Sequence, residues 1–298
     1  MEIAVLGDSV AWGQGLVNEH KYSYLVAEHL GEQPIVQAHS GAIIGADYNG
    51  DLVTADPEVP EHAPTILSQI DKISNPTDVD LVLLNGGIND IGVPTILNPS
   101  IKNSALQADI EKFCHVDMKR LLKKAVNTFT NDTCRFVVTG YYPILSSKSD
   151  PVEVEVDYLE KLLELHCLTI PTHFDRDPIV SHIVSLTEQF WNQSNDQLSK
   201  AVAETNSEMR LGNRIIFVPS PFTKENALFA GDPWLFGFNA DLSPQDEVIT
   251  ERADACNYHY SDPFDFAQRE VCHYASVGHP NVAGAKAIAT AILNSLGS

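Results

Sequence analysis

The chain has 298 residues, 44% of them hydrophobic, with nineteen basic against forty acidic side chains and a net charge of −21. This is a globular composition with enough length for a sizeable core, and its acidity makes nucleic acid and anionic membrane surfaces poor partners. No run of about 18 apolar residues exists, so no membrane-spanning helix is expected. No basic region followed by an apolar stretch stands at the N-terminus, so no signal peptide is expected; the protein either stays inside the cell or starts after a removed signal. The cysteines are Cys114, Cys134, Cys167, Cys256 and Cys272, an odd number with no Cys-x-x-Cys. Cys256 and Cys272 flank a loop-like segment, and both a disulfide in an oxidising compartment and free buried thiols are open.

Met1 to Leu6 (MEIAVL) is a short apolar run that fits a buried strand. Gly7 ends it, and the next turn carries Asp8 and Ser9. A serine there is well placed as a nucleophile, because the strand fixes its position and the turn N–H groups face a bound molecule. The plain alternative is a helix cap. His20 to Leu30 has helical spacing, and Pro34 to Ala38 is a second strand followed by the small-residue turn His39-Ser40-Gly41-Ala42. Gly45 to Pro64 reads as an irregular loop and Thr65 to Ile73 as a short helix. Asp80 to Leu84 is the third strand and runs into Asn85-Gly86-Gly87-Ile88-Asn89-Asp90.

Lys102 to Thr130 carries one long helical pattern, and Arg135 to Thr139 is the fourth strand, closed by Gly140-Tyr141-Tyr142-Pro143. Val154 to Leu168 is expected to be helical, Thr169 to Pro178 a loop, and His182 to about Arg210 a second long helix. Arg214 to Val218 is the fifth strand, and Pro280 to Leu296 a terminal helix with Pro280 near its start. Pro219 to Ser276 is the least regular part; a loop of that length is functional or holds small elements of its own. With no repeat or linker, a single domain over 1–298 is expected, with an irregular insertion at about 219–276. Strands separated by helices imply an α/β fold whose parallel sheet is covered on both faces, with ligands beyond the carboxyl ends of its strands.

Three turns at that edge form a constellation. Strand one delivers Ser9, strand two Gly41, whose N–H is open to close approach, and strand three Asn89, whose amide can donate. The N–H groups of Ser9 and Gly41 with the Asn89 amide would make an oxyanion hole. A serine hydroxyl needs a base, and of eleven histidines His279 has the best setting, in Gly278-His279-Pro280-Asn281 just before the last helix.

The blocks Gly7-Asp8-Ser9, Ser40-Gly41, Gly87-Ile88-Asn89-Asp90 and His279-Pro280-Asn281, in that order, resemble the four sequence blocks of the SGNH (GDSL-type) hydrolases across nearly the whole chain. The resemblance implies a flavodoxin-like three-layer α/β/α sandwich with a five-stranded parallel sheet. It also implies ester hydrolysis through an acyl-enzyme, without metal or organic cofactor. Gly140-Tyr141-Tyr142-Pro143, Trp234-Leu235 and the stretch Ala275 to His279 look more like the lipase and acylhydrolase branch than the small thioesterases. The implied substrate is a small-molecule or lipid ester, and the oligomeric state is not implied.

One position departs from the pattern. The family places an aspartate three residues before the histidine, and here Ser276 stands there. Either the Ser276 hydroxyl or a main-chain carbonyl between Cys272 and Val277 would orient the imidazole, the carbonyl being the stronger acceptor. A carboxylate from elsewhere, such as Asp262 or Asp265, would displace both. Without a carboxylate partner, His279 is expected to titrate near the reference value of about 6.5, raised slightly by surface carboxylates.

Other readings compete. Asp8 and Asp90 are each expected to hydrogen-bond within their own turns rather than form an acid–base pair. Trp12 either lines the acyl site or packs, and His39 is read as structural. His166, His173 and His182 lack a metal-ligand spacing, so no metal site is expected. Neither nucleotide-binding glycine pattern nor Gly-x-Ser-x-Gly occurs. The remaining alternatives are a serine esterase acting on lipid acyl, acetyl or small esters, and a catalytically inactive binding module on the same fold.

Overall fold

The computed structural model describes residues 1–50, 55–149, 158–165 and 176–297. Five strands, β1 (Glu2–Leu6), β2 (Pro34–Val36), β3 (Val79–Leu84), β4 (Arg135–Thr139) and β5 (Ile215–Val218), form one sheet in the order β2-β1-β3-β4-β5. Every pairing is parallel, with Val5 beside Val36, Leu6 beside Leu84 and Leu84 beside Val138. A parallel sheet covered on both faces needs unbroken apolar strands rather than alternating ones. Ile3 to Leu6 and Val82 to Leu84 meet that demand and are fully buried.

The terminal helix α12 (Val282–Leu296) packs on α2 (Tyr22–His29) and β5. Helices α3 (Ile66–Asp71), α6 (Asn103–Glu111), α7 (Met118–Thr128) and the long α9 (Arg176–Glu208) form the other layer. The strand order reverses between β1 and β3, which opens a crevice at the carboxyl edge of the sheet. Three short helices start there: α1 (Ser9–Trp12) after β1, then α4 (Ile88–Ile91) and α5 (Val93–Ile96) after β3. The flavodoxin-like three-layer α/β/α architecture is thus present, and its switch point lies between the turns carrying Ser9 and Asn89. No helix among the described residues is long and apolar enough to cross a membrane.

Some elements differ from the expected ones. The single helix expected over Lys102 to Thr130 is two helices joined by a π-helical segment, Lys112–Asp117. The wider turn shifts the helical phase while keeping Cys114 and Met118 buried. The long helix begins at Arg176, earlier than expected, because Pro178 falls in its first turn, where no intrahelical N–H donor is needed. Of the helix expected over Val154 to Leu168, Tyr158–Leu165 is helical (α8) and the rest lies outside the described residues, as do residues 169–175 of the expected loop, Cys167, His166 and His173. The stretch 219–276 holds α10 (Ile249–His259) and α11 (Phe266–His273).

A disulfide between Cys256 and Cys272 joins α10 to α11, settling the open question about these thiols. Cys114 and Cys134 are free and buried. The bridge sits in a small apolar cluster with Val59, separate from the main core. Closing a loop of this length, sixteen residues apart in sequence, contributes about 3 kcal/mol in the chain-entropy account. Reduction is therefore expected to accelerate amide exchange in α10 and α11 by up to about 100-fold, leaving β3 and β4 protected. Equal acceleration in the sheet would show that the helical pair belongs to the main cooperative unit.

Candidate active site

The turn that carries Ser9 is built from polar side chains behind it. Gly7 leaves β1 at φ +146°, and a Cβ there would lie 2.2 Å from Asn85 Oδ1. Both its backbone groups are held by buried Gln69, the N–H donating to Oε1 (2.8 Å) and the carbonyl accepting from Nε2 (3.0 Å). Asp8 is fully buried and caps α1, accepting from Val10 N–H (2.9 Å), Asn85 Nδ2 (3.0 Å) and the Tyr141 hydroxyl (2.7 Å). Desolvation pushes its carboxyl up, opposed by those three donors. Asp8 therefore bonds in its own turn, as expected, and also to the ends of two other strands.

Ser9 is the first residue of α1, and its Oγ lies 2.7 Å from His279 Nε2. Ser9, Gly41 and Asn89, expected at one edge from the turns that carry them, and His279, expected from its setting before the last helix, line one cavity of about 310 Å³. Its walls are largely apolar: Val10 after β1, Ile88, Val93 and Leu97 on the β3 side, then Tyr142, Ile144, Leu165, Val271 and Val277. Pro60 and His62 also border it.

Gly41 has φ +75°, and a Cβ there would stand 2.5 Å from Glu61 N. The residue type is thus required by close packing of the Pro60–Glu61 segment. Asn89 Nδ2 donates one proton to the Ala42 carbonyl (3.1 Å), which leaves its second amide proton for another acceptor. Asp90 reaches beyond its own turn: Oδ2 accepts from Ile44 N–H at 2.9 Å, clasping the β2 turn to the β3 turn. Burial pushes its carboxyl up to about 6.

His279 is carried by a segment pinned on both sides. Phe236 N–H donates to the His279 carbonyl (2.8 Å), Gly278 N–H to Phe236 (2.9 Å) and Asn281 N–H to Trp234 (2.9 Å). Asn281 then caps α12 through Ala283 and Gly284 N–H. The imidazole keeps an edge on the cavity, but Nδ1 is sealed from solvent and no acceptor meets it in hydrogen-bonding geometry. Desolvation pushes its pKa down to about 4, well below the value of about 6.5 expected from the sequence. The carbonyls of Ser276, Val277 and Ala275 face the ring and oppose that shift, while the nearby Arg252 guanidinium adds to it.

Among the described residues no candidate orienter, side chain or carbonyl, bonds to His279 Nδ1. Ser276 is fully buried and does not bond to the imidazole; its hydroxyl donates to Asp246 Oδ2 at 2.7 Å. An aspartate introduced at 276 would bury a second carboxylate against Asp246. Asp262 caps Phe264 N–H (2.9 Å) and is not bonded to His279. Trp12 does not line the cavity; its indole donates to Glu58 Oε1 (2.7 Å) and the Lys21 ammonium stands over its ring. His39 bonds the Ser40 and Ala55 carbonyls, a structural role, and His182 bonds the Ile101 carbonyl. Among the described residues no group of three or more His, Cys, Asp or Glu side chains is placed to hold a metal ion.

Comparison with known proteins gives no match among curated proteins. Among solved structures the chain is similar to a family 2 carbohydrate esterase with a carbohydrate-binding domain from Corynascus thermopiles (Myceliophthora fergusii). That match has 18% identity and a TM-score of 0.45, over 100% of this chain and 67% of that one. It is also similar to a family two carbohydrate esterase from Clostridium thermocellum in complex with cellohexaose, at 13% identity and a TM-score of 0.46, over 99% of this chain and 64% of that one. A third is Est24, a carbohydrate acetylesterase from Sinorhizobium meliloti, at 14% identity and a TM-score of 0.39, over 73% of this chain and 83% of that one. The chain thus spans about two thirds of the length of the first two. The family model for GDSL-like lipase/acylhydrolases matches residues 3–292, and the chain belongs to that family of ester hydrolases.

Proposed function

We propose that this protein is a serine hydrolase of carboxylic esters, with Ser9 as nucleophile and His279 as general base. The observation that carries the reading is the 2.7 Å contact between Ser9 Oγ and His279 Nε2 on the cavity wall, made by residues 270 positions apart in the chain. Neutral His279 accepts the Ser9 proton at Nε2 as Oγ attacks the ester carbonyl carbon. Negative charge develops on the carbonyl oxygen, where the Ser9 and Gly41 N–H groups and the second Asn89 amide proton are the proposed donors. The alcohol leaves with the Nε2 proton, and water deacylates Ser9 by the same route in reverse. The apolar walls suit the acyl chain of a lipid or small ester, and no step requires a cofactor.

A fluorophosphonate is expected to label Ser9, and Ser9→Ala to abolish labelling and lower ester hydrolysis by about 10⁴ or more. Activity is best read on p-nitrophenyl esters from acetate to decanoate. Burying each added methylene contributes about 0.8 kcal/mol, so kcat/KM should climb about fourfold per carbon until the cavity is filled. A label on another serine would refute the assignment.

Asn89→Ala removes one charge-facing donor while sparing nucleophile and base. Its expected cost is about 10²–10³ in kcat with little change in KM, because the donor acts on charge present only in the transition state. A raised KM at unchanged kcat would make Asn89 a substrate-binding group instead.

The acid limb of kcat/KM reports the base. His279 works only when neutral, so activity is lost as pH falls through its pKa, and burial places that midpoint near 4. Steady-state rates between pH 3 and pH 8 check this. A midpoint near 6.5 would mean that the ring is hydrated rather than desolvated, and one well above 6.5 that a carboxylate stabilises the imidazolium.

A further inference from the structure

A buried ion pair lies behind the histidine turn. Asp246 and Arg252 are paired bidentately, Nη1 to Oδ1 at 2.9 Å and Nη2 to Oδ2 at 2.5 Å, with both side chains fully buried. Oδ1 also accepts from Val248 N–H (3.1 Å), and Oδ2 accepts from the Ser276 hydroxyl (2.7 Å). The Arg252 Nε donates to the His273 carbonyl (3.2 Å), and its Nη1 lies 3.6 Å from Glu58. Every group of this cluster is partnered, the condition under which a buried ion pair is tolerated. Ser276 stands three residues before His279, whose N–H donates to the Ser276 carbonyl at 2.9 Å. The nucleophile side closes on the same contact: Gly15 packs so tightly that a Cβ would lie 2.8 Å from Ser276 Cβ and 3.0 Å from Asp246 Cβ.

We propose that Asp246 and Arg252 are positioning residues for His279, acting through Ser276: the carboxylate fixes the turn that carries the imidazole, and does not touch the ring. The inference rests on the assignment of Ser9 and His279 above. Arg252 neutralises Asp246, so the pair supplies orientation without charge to Nδ1. This explains how a serine stands where the family pattern has an aspartate. The Ser276 hydroxyl anchors the turn to a carboxylate delivered from the 219–276 stretch.

Ser276→Ala cuts the anchor while leaving the ion pair intact and no charge unpaired, so the variant keeps its fold. A displaced base costs up to about 10²-fold, so kcat on a p-nitrophenyl ester should fall by about ten- to a hundredfold with KM unchanged. Replacing the pair together, as Asp246→Leu with Arg252→Met, avoids a lone buried charge and removes the acceptor. That double variant should lose kcat by a similar factor, with its melting temperature measured alongside. Adding Ser276→Ala to it should cost nothing further, because both changes cut one link. A Ser276→Ala enzyme with wild-type kcat, or losses that multiply in the triple variant, would overturn the proposal. A wild-type chain that neither hydrolyses these esters nor labels at Ser9 would overturn the assignment beneath it. An active wild type with indifferent variants would sink the positioning role alone.

Discussion

The site depends on one buried carboxylate. Asp8 gathers the ends of three strands: its own turn after β1, Asn85 after β3 and Tyr141 after β4. A buried carboxylate without partners costs several kcal/mol, so these donors are obligatory. Burial also pushes the Tyr141 phenol far above its ordinary range, which keeps the proton available for donation to Asp8. The same hydroxyl accepts from Ile88 N–H (3.2 Å), the first residue of α4. One carboxylate therefore sets the start of the helix that bears Ser9 and, through Tyr141, of the helix that bears Asn89.

The remaining parts are braced separately and meet at the cavity. Asn89 and Asp90 tie the β3 turn to the carbonyl of Ala42 and the N–H of Ile44, which anchors the segment directly after Gly41. His279 comes from the far end of the chain, hung on Trp234 and Phe236 and backed by the Asp246–Arg252 pair. None of these braces is local in sequence. Their polar groups satisfy each other rather than water, so the groups proposed as donors and base are held before any substrate arrives, as electrostatic stabilisation of a transition state requires.

What could be read from the sequence follows the same division. The strands were legible because burial on both faces leaves apolar runs such as Leu81 to Leu84, and the turns after them were legible from their small and polar residues. Ser9, Gly41 and Asn89 could be assembled because the parallel topology sends every strand end to one edge, whereas His279, which follows no strand, was legible from its Gly278-His279-Pro280-Asn281 setting before the last helix. Asp246 and Arg252 gave no signal: they lie in a stretch without periodicity, and a carboxylate six residues before an arginine looks like any solvated pair. Their burial is a tertiary fact. The π segment was hidden for the opposite reason, since Lys112 to Asp117 continues a helical composition while the backbone takes a wider turn.

The histidine illustrates a trade set by these braces. A carboxylate at Nδ1 would strengthen the base and stabilise the imidazolium formed in the transition state. Here Nδ1 faces only main-chain carbonyls, and the carboxylate behind the turn, Asp246, is neutralised by Arg252. With the pKa near 4, the imidazole is neutral at neutral pH, and as the proposed base it would have only a small driving force for taking the serine proton. Stabilisation lost at the cation must then come from the other developing charge, the oxyanion. In the proposed mechanism that places more of the catalytic demand on the donors at Ser9, Gly41 and Asn89 than in a site with a charged third member. It also gives a reason for the rigid clasp between the β2 and β3 turns, since donors that carry this much of the work must not drift.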